Sequence, residues 1–171
     1  DHKMIGLQYG LTSLCFLLFG FGLMMLMRWQ LAYPGVPLPF FGKFFSEANM
    51  PGGVMLPEFY NQLGAMHGTI MVFMGIVPLA VGAFGNYIVP LQIGAPDMAF
   101  PRINMASYWA YFLGGVTMLA SFFVTGGAAS SGWTYYTPLA DIASAGQAWW
   151  IMGMFFLFYS SLVFFFCFLS L

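Results

Sequence analysis

One histidine, His67, sits inside a run of some thirty mostly apolar residues, EFYNQLGAMHGTIMVFMGIVPLAVGAFGNYIVP, from Glu58 to Pro90. Counted from Phe59 it lies eight residues into the run, about 12 Å along a helix. If the run spans a bilayer, that depth is hydrocarbon. An ionisable side chain there is costly and implies a partner: a proton relay, a metal or haem ligand, or an interhelical hydrogen bond. Gly64 and Gly68 flank the histidine in a GxxxG arrangement, and Gly75 and Gly82 extend the line of small residues. Something therefore approaches this backbone closely. It is either another helix, with the histidine as a satisfied polar contact, or a flat macrocycle with iron on one ring nitrogen and an acceptor on the other. Spacing alone leaves the two level. Met71 and Met74 fall near the same face, but fourteen methionines are scattered through the chain, and methionine at helical spacing is usually core filler.

Few other polar groups interrupt apolar sequence. Arg28 sits near the outer end of the first run, at much the depth of His67, where its long side chain can snorkel to the interface. Asn86 is nineteen residues beyond His67, about 28 Å along the axis, so one helix carries polar groups near both membrane faces. Asp97 follows in a loop, and Asn104 and Ser107 open the next run three residues apart, on one helical face. Composition favours reading these as a loop acid with capping residues. The alternative is a proton entrance followed by amide and hydroxyl groups that order water.

The elements that must position these groups follow from composition. Of 171 residues, 61% are hydrophobic and 5% charged, far from the charged fraction of about 25% in soluble domains. The fold class is therefore all-α, a polytopic transmembrane helix bundle. Four segments are long enough to span, at about residues 5–27, 59–88, 104–124 and 147–171. Proline- and glycine-rich breaks separate them: YPGVPLPFFGKFFSEANMPGGVMLP, PLQIGAPDMAFPR and GGAASSGWTYYTPLADIASAG. Residues 1–171 read as one unit without a separable soluble domain. The first run is too long for a signal-peptide core and no cleavage site follows it. No internal repeat is visible. Under alternating topology Lys3 and Arg102 share one side, and Lys43, Glu47, Glu58 and Asp141 the other, which puts the N-terminus on the cytoplasmic side or its equivalent. Cys15 and Cys167 read as packing residues, and a net charge of −1 suggests no nucleic-acid partner.

Four stretches together are specific enough to suggest a family. DHKMIGLQYG, HGTIMVF, FGNYIVPLQIGAPDMAFPRIN and SGWTYYTPL resemble subunit I of the haem-copper terminal oxidases, in the cytochrome c oxidase branch with a D-type proton channel. The resemblance spans nearly the whole chain, most distinctively in the long middle motif and only loosely in the fourth run. It implies that His67 is one axial ligand of a low-spin haem, expected to be haem A, between Gly64 and Gly68. It implies that Arg28 contacts the haem formyl group, and that Trp133 and Tyr136 lie near the propionates, although both also suit an interfacial aromatic belt. Asp97 then marks the mouth of the proton channel, with Asn86, Asn104 and Ser107 lining its lower part, which reverses the plainer reading above.

The departures carry information too. Met105 stands where many members have a second asparagine, and Gln30 near where some relatives hold an ion through a glutamate beside a glycine matching Gly35. Quinol-oxidising relatives carry Arg, Asp and His where this chain has Phe19, Leu23 and Phe59, and only Gln62 of that set is kept. The implied donor is thus cytochrome c, or a fused or bound cytochrome domain. With only His2 and His67 in the sequence, the ligands of the high-spin haem and its copper must come from elsewhere in a subunit of about twelve helices, of which this chain reads as the first four. Implied partners are those remaining helices, a copper-carrying subunit II, subunit III and membrane lipids. The implied location is an energy-transducing membrane, bacterial or mitochondrial inner. Two other readings stand: a haem-free transporter or scaffold segment, and a nitric-oxide-reducing relative, against which GAPDMAFPRIN argues.

Overall fold

The computed structural model describes residues 1–171 except Ala143, which lies in the third expected break. Four long helices make up the chain, and among the described residues there are no strands. Helix α1, His2–Ala32, opens on Asp1, whose side chain accepts from the Lys3 amide, and stops before Pro34 and Gly35. It is apolar all round but buries one stripe: Ile5, Tyr9, Ser13, Phe16, Gly20 and Leu23. Steps of three and four residues make that stripe one helical face. The other faces, with Leu7, Leu11, Leu14 and Leu18 exposed, are hydrocarbon suited to lipid.

Helix α2, Pro57–Ile93, begins with proline in its first turn and ends at Gly94 in the left-handed region, φ 74°. Its middle is wound wider than an α-helix, over Ile70–Ile76 and Pro78–Ala83. Helix α3, Pro101–Ala120, also starts on proline and ends in a 3-10 turn, Ser121–Phe123. Helix α4 is Gly146–Leu169. Helices α1, α2 and α4 are long and apolar enough to cross a bilayer. The fourth span expected, at 104–124, appears as the 20-residue α3, about 30 Å long. It is less apolar because it carries Asn104, Ser107, Tyr108 and Tyr111, all buried. The chain is thus a polytopic membrane helix bundle with three clear spans.

Small residues set the contacts, as expected where lipid removes the hydrophobic drive between helices. A Cβ on Gly114 of α3 would lie 2.8 Å from the Gly153 carbonyl of α4, so these two helices touch backbone to backbone. A Cβ on Gly82 of α2 would lie 2.7 Å from the Tyr9 ring of α1, and Leu17 of α1 covers Gly75. Helix α1 therefore seats on the wide-wound part of α2.

Candidate functional site

His67 lies on the last regular turn of α2 before the wide winding begins. Its Nδ1 is 2.8 Å from the Gly20 carbonyl of α1. A carbonyl only accepts, so Nδ1 carries a proton, and in the neutral ring that leaves the lone pair on Nε2. Where Gly75 and Gly82 are tightly covered by α1, Gly64 and Gly68 are not. A Cβ at Gly68 would first meet Trp133 Cδ1 at 3.7 Å, and one at Gly64 the flexible end of Met27 at 3.3 Å. Trp133 also packs against Phe73, with ring centroids 6.0 Å apart. Among the described residues no three His, Cys, Asp or Glu side chains gather as a cage for a bare ion. A neutral imidazole with a fixed tautomer, a free nitrogen and small neighbours fits a planar iron macrocycle.

The rest of the expected set is less gathered. Arg28 is eight residues outward of Gly20 on α1, about 12 Å along the axis, and is exposed. Among the described residues it has no carboxylate within ion-pair distance. Tyr136 projects from the outer loop, 75% exposed, while the neighbouring Tyr135 stacks on Trp150 with centroids 5.8 Å apart. The structure brings Trp133 to the Gly68 face and leaves Tyr136 outside it.

At the other end, all four expected residues fall in one chain of hydrogen bonds. Asp97 Oδ1 accepts from the backbone N–H of His2 at 3.0 Å and of Met98 at 2.8 Å. The His2 ring, 2% exposed, donates from Nδ1 to the Asn86 carbonyl at 2.8 Å. Asn104 Nδ2 donates to Asn86 Oδ1, and Asn86 Nδ2 to the Gly82 carbonyl at 2.6 Å. Ser107 Oγ donates to the Asn104 carbonyl at 2.6 Å, and Ser160 Oγ of α4 to the Ser107 carbonyl at 2.6 Å. With both serine protons committed, Tyr9 O–H donates to Ser107 Oγ, the nearer at 2.9 Å, with Ser160 Oγ at 3.2 Å. Asn86, Asn104 and Ser107 are wholly buried.

Sequence reasoning missed His2, Tyr9 and Ser160. Their partners lie 84, 98 and 53 residues away, so no local motif joins them. The one usable signal was Tyr9 on the same helical face as Ile5 and Ser13.

The sequence as a whole is similar to known proteins. The family described as Cytochrome C and Quinol oxidase polypeptide I matches residues 4–170. A Streptomyces coelicolor protein carrying the cytochrome c oxidase subunit 1-beta designation is 46% identical over 157 residues, 90% of this chain and 24% of that protein. The cytochrome c oxidase subunit 1 of a Synechocystis species is 43% identical over 155 residues, 90% of this chain and 25% of that protein. That of Corynebacterium efficiens is 41% identical over 157 residues, 90% of this chain and 24% of that protein. The chain spans about a quarter of the length of the curated relatives it matches.

Proposed function

The chain belongs to the cytochrome c and quinol oxidase polypeptide I family, as an N-terminal portion of a haem-copper oxidase subunit I, and on that premise we propose what its two polar ends do. It forms part of a proton-pumping cytochrome c oxidase that reduces oxygen to water, with electrons from cytochrome c through a copper-carrying subunit II. Subunit III and the remaining helices of subunit I, with the high-spin haem and copper, complete the complex in a bacterial or mitochondrial inner membrane. The N-terminus and the loop bearing Asp97 face the cytoplasm or matrix.

His67 would hold the iron of the low-spin haem, taken to be haem A, through Nε2. When bound, the haem supplies reversible one-electron transfer. The Gly20 carbonyl holds the imidazole in the ligating tautomer, and Gly64 and Gly68 leave room beside it. Arg28 places positive charge on the same outer side, Trp133 borders the pocket from the loop, and Tyr136 projects from that loop further out.

Asp97 takes up protons at the inner end, its carboxylate steadied by two backbone amides. Asn86 and Asn104 cannot carry a net charge, and the protons of Ser107 and Ser160 are held by carbonyls. On this reading these side chains line the path, and water beside them rather than the side chains themselves carries the proton. Moving a charge across the membrane costs about 2.3 kcal/mol per 100 mV, so a pump needs such a path kept narrow.

The observation carrying this reading is the His67 Nδ1 bond to Gly20, which leaves Nε2 as a ligand. Its test is the reduced-minus-oxidised spectrum of the complete complex with His67→Ala. Loss of the low-spin haem band is expected; a normal band removes the assignment.

A further inference from the structure

Two prolines lie in the interior of α2, and each removes a helical donor. Proline has no N–H, so Pro90 cannot donate to the Asn86 carbonyl four residues back, and Pro78 offers none to the wide-wound stretch before it, where the Val77 N–H reaches back five residues to the Val72 carbonyl. A carbonyl before each proline, that of Asn86 and that of Met74, is met from another helix. His2 Nδ1 donates to Asn86 at 2.8 Å, and Tyr111 O–H of α3 donates to Met74 at 2.7 Å. The first contact belongs to the proton path above. The second does not, because the protons near it are spoken for. The Tyr111 proton lies on Met74, and that of Ser13 lies on the Tyr9 carbonyl at 2.6 Å. The 3.2 Å contact between Ser13 Oγ and Tyr111 O therefore has no proton to share. Tyr111 is a dead end for protons, yet it is 1% exposed and its ring stacks on Tyr9.

We propose that Tyr111 is a positioning residue: by holding the Met74 carbonyl it fixes the winding of α2, and so the rotation of His67 relative to Asn86. This rests on the roles proposed for those two residues. Met74 lies between them, in the wide-wound stretch Ile70–Ile76 just before Pro78. A wide turn holds one residue more than an α turn, so gaining or losing one rotates everything beyond by about 100°. Such a slip separates Asn86 from Asn104, or His67 from the Gly20 carbonyl. Leu17 over Gly75 and Tyr9 over Gly82 shape this stretch by packing, and Tyr111 pins its backbone by a directed bond.

The test is Tyr111→Phe in the complete oxidase complex, which keeps the ring and removes only the hydroxyl. Expected are a shifted and broadened low-spin haem band together with proton uptake slowed about tenfold, from a group that touches neither site. Adding Pro78→Ala offers Met74 an N–H four residues on, which closes an α turn in place of the wide one, so both readouts should move further from wild type. Slow uptake with an unaltered haem band would instead make Tyr111 a proton relay and overturn the proposal, as would two unchanged readouts. Failure of the underlying reading looks different: His67→Ala then keeps the low-spin band with Tyr111 intact.

Discussion

The two ends of α2 are built on opposite plans. At the inner end, Asp97, His2, Asn86, Asn104, Ser107, Tyr9 and Ser160 bond to one another or to carbonyls of this chain, and most are fully buried. At the outer end, among the described residues, the His67 ring has one hydrogen-bond partner, and Arg28, Trp133 and Tyr136 on that side are exposed. A polar group buried without a partner costs about 1–3 kcal/mol, so the inner residues are ordered by the chain itself. The outer ones, on the proposed reading, face a group the chain does not supply. One end is a network bonded largely within the chain, with the buried Asn104 Oδ1 left unpartnered among the described residues, and the other is, on the proposed reading, one side of a binding pocket.

That contrast is broken most severely by filling the pocket. Gly68→Phe places a ring where, among the described residues, only Trp133 comes within 4 Å of the added Cβ. In the complete complex it should abolish low-spin haem incorporation, read from the visible spectrum, while Gly68→Ala should keep most of it. If the phenylalanine variant binds haem normally, the open face is not the haem face. The inner end responds differently. Asp97→Asn keeps the acceptor for His2 and Met98 and removes the charge that collects protons. Proton uptake, followed with a pH dye in vesicles, should slow by about tenfold or more with the haem spectrum unaltered. Unchanged uptake would leave the inner network as packing alone.

Arg28→Met tests the same contrast more gently. Removing a positive charge near a haem stabilises its oxidised form, so the midpoint potential should fall by on the order of tens of millivolts. An unchanged potential would mean that Arg28 only snorkels to the interface, as its exposure permits.

How much of this was legible beforehand follows from range in sequence. The helices were readable because apolar length and proline or glycine stops are local signals, and Pro57, Pro101 and Gly94 set the boundaries. The hydropathy of α3 was diluted by its buried Asn104, Ser107, Tyr108 and Tyr111, whose inward placement only packing reveals. Asp97, Asn86, Asn104 and Ser107 were named as one set through a resemblance. Their companions His2, Tyr9 and Ser160 come from the first and last helices, and tertiary structure alone brings them in. The wide winding of α2 had no sequence signal beyond Pro78 among its glycines.

The smallest expected effect separates two aromatics that sequence treated alike. Trp133 lies 3.7 Å from the place of a Gly68 Cβ and packs on Phe73, whereas Tyr136 is 75% exposed. Trp133→Phe should therefore shift the low-spin haem band measurably, since it alters the wall beside His67. Tyr136→Phe should change that band and the steady-state oxygen consumption by less than about twofold, within the range of exposed substitutions. If Tyr136→Phe is instead the more damaging, the outer loop closes over the pocket in the complete complex. The open end of the comparison would then be a consequence of the helices still to be added, and not a property of α2 itself.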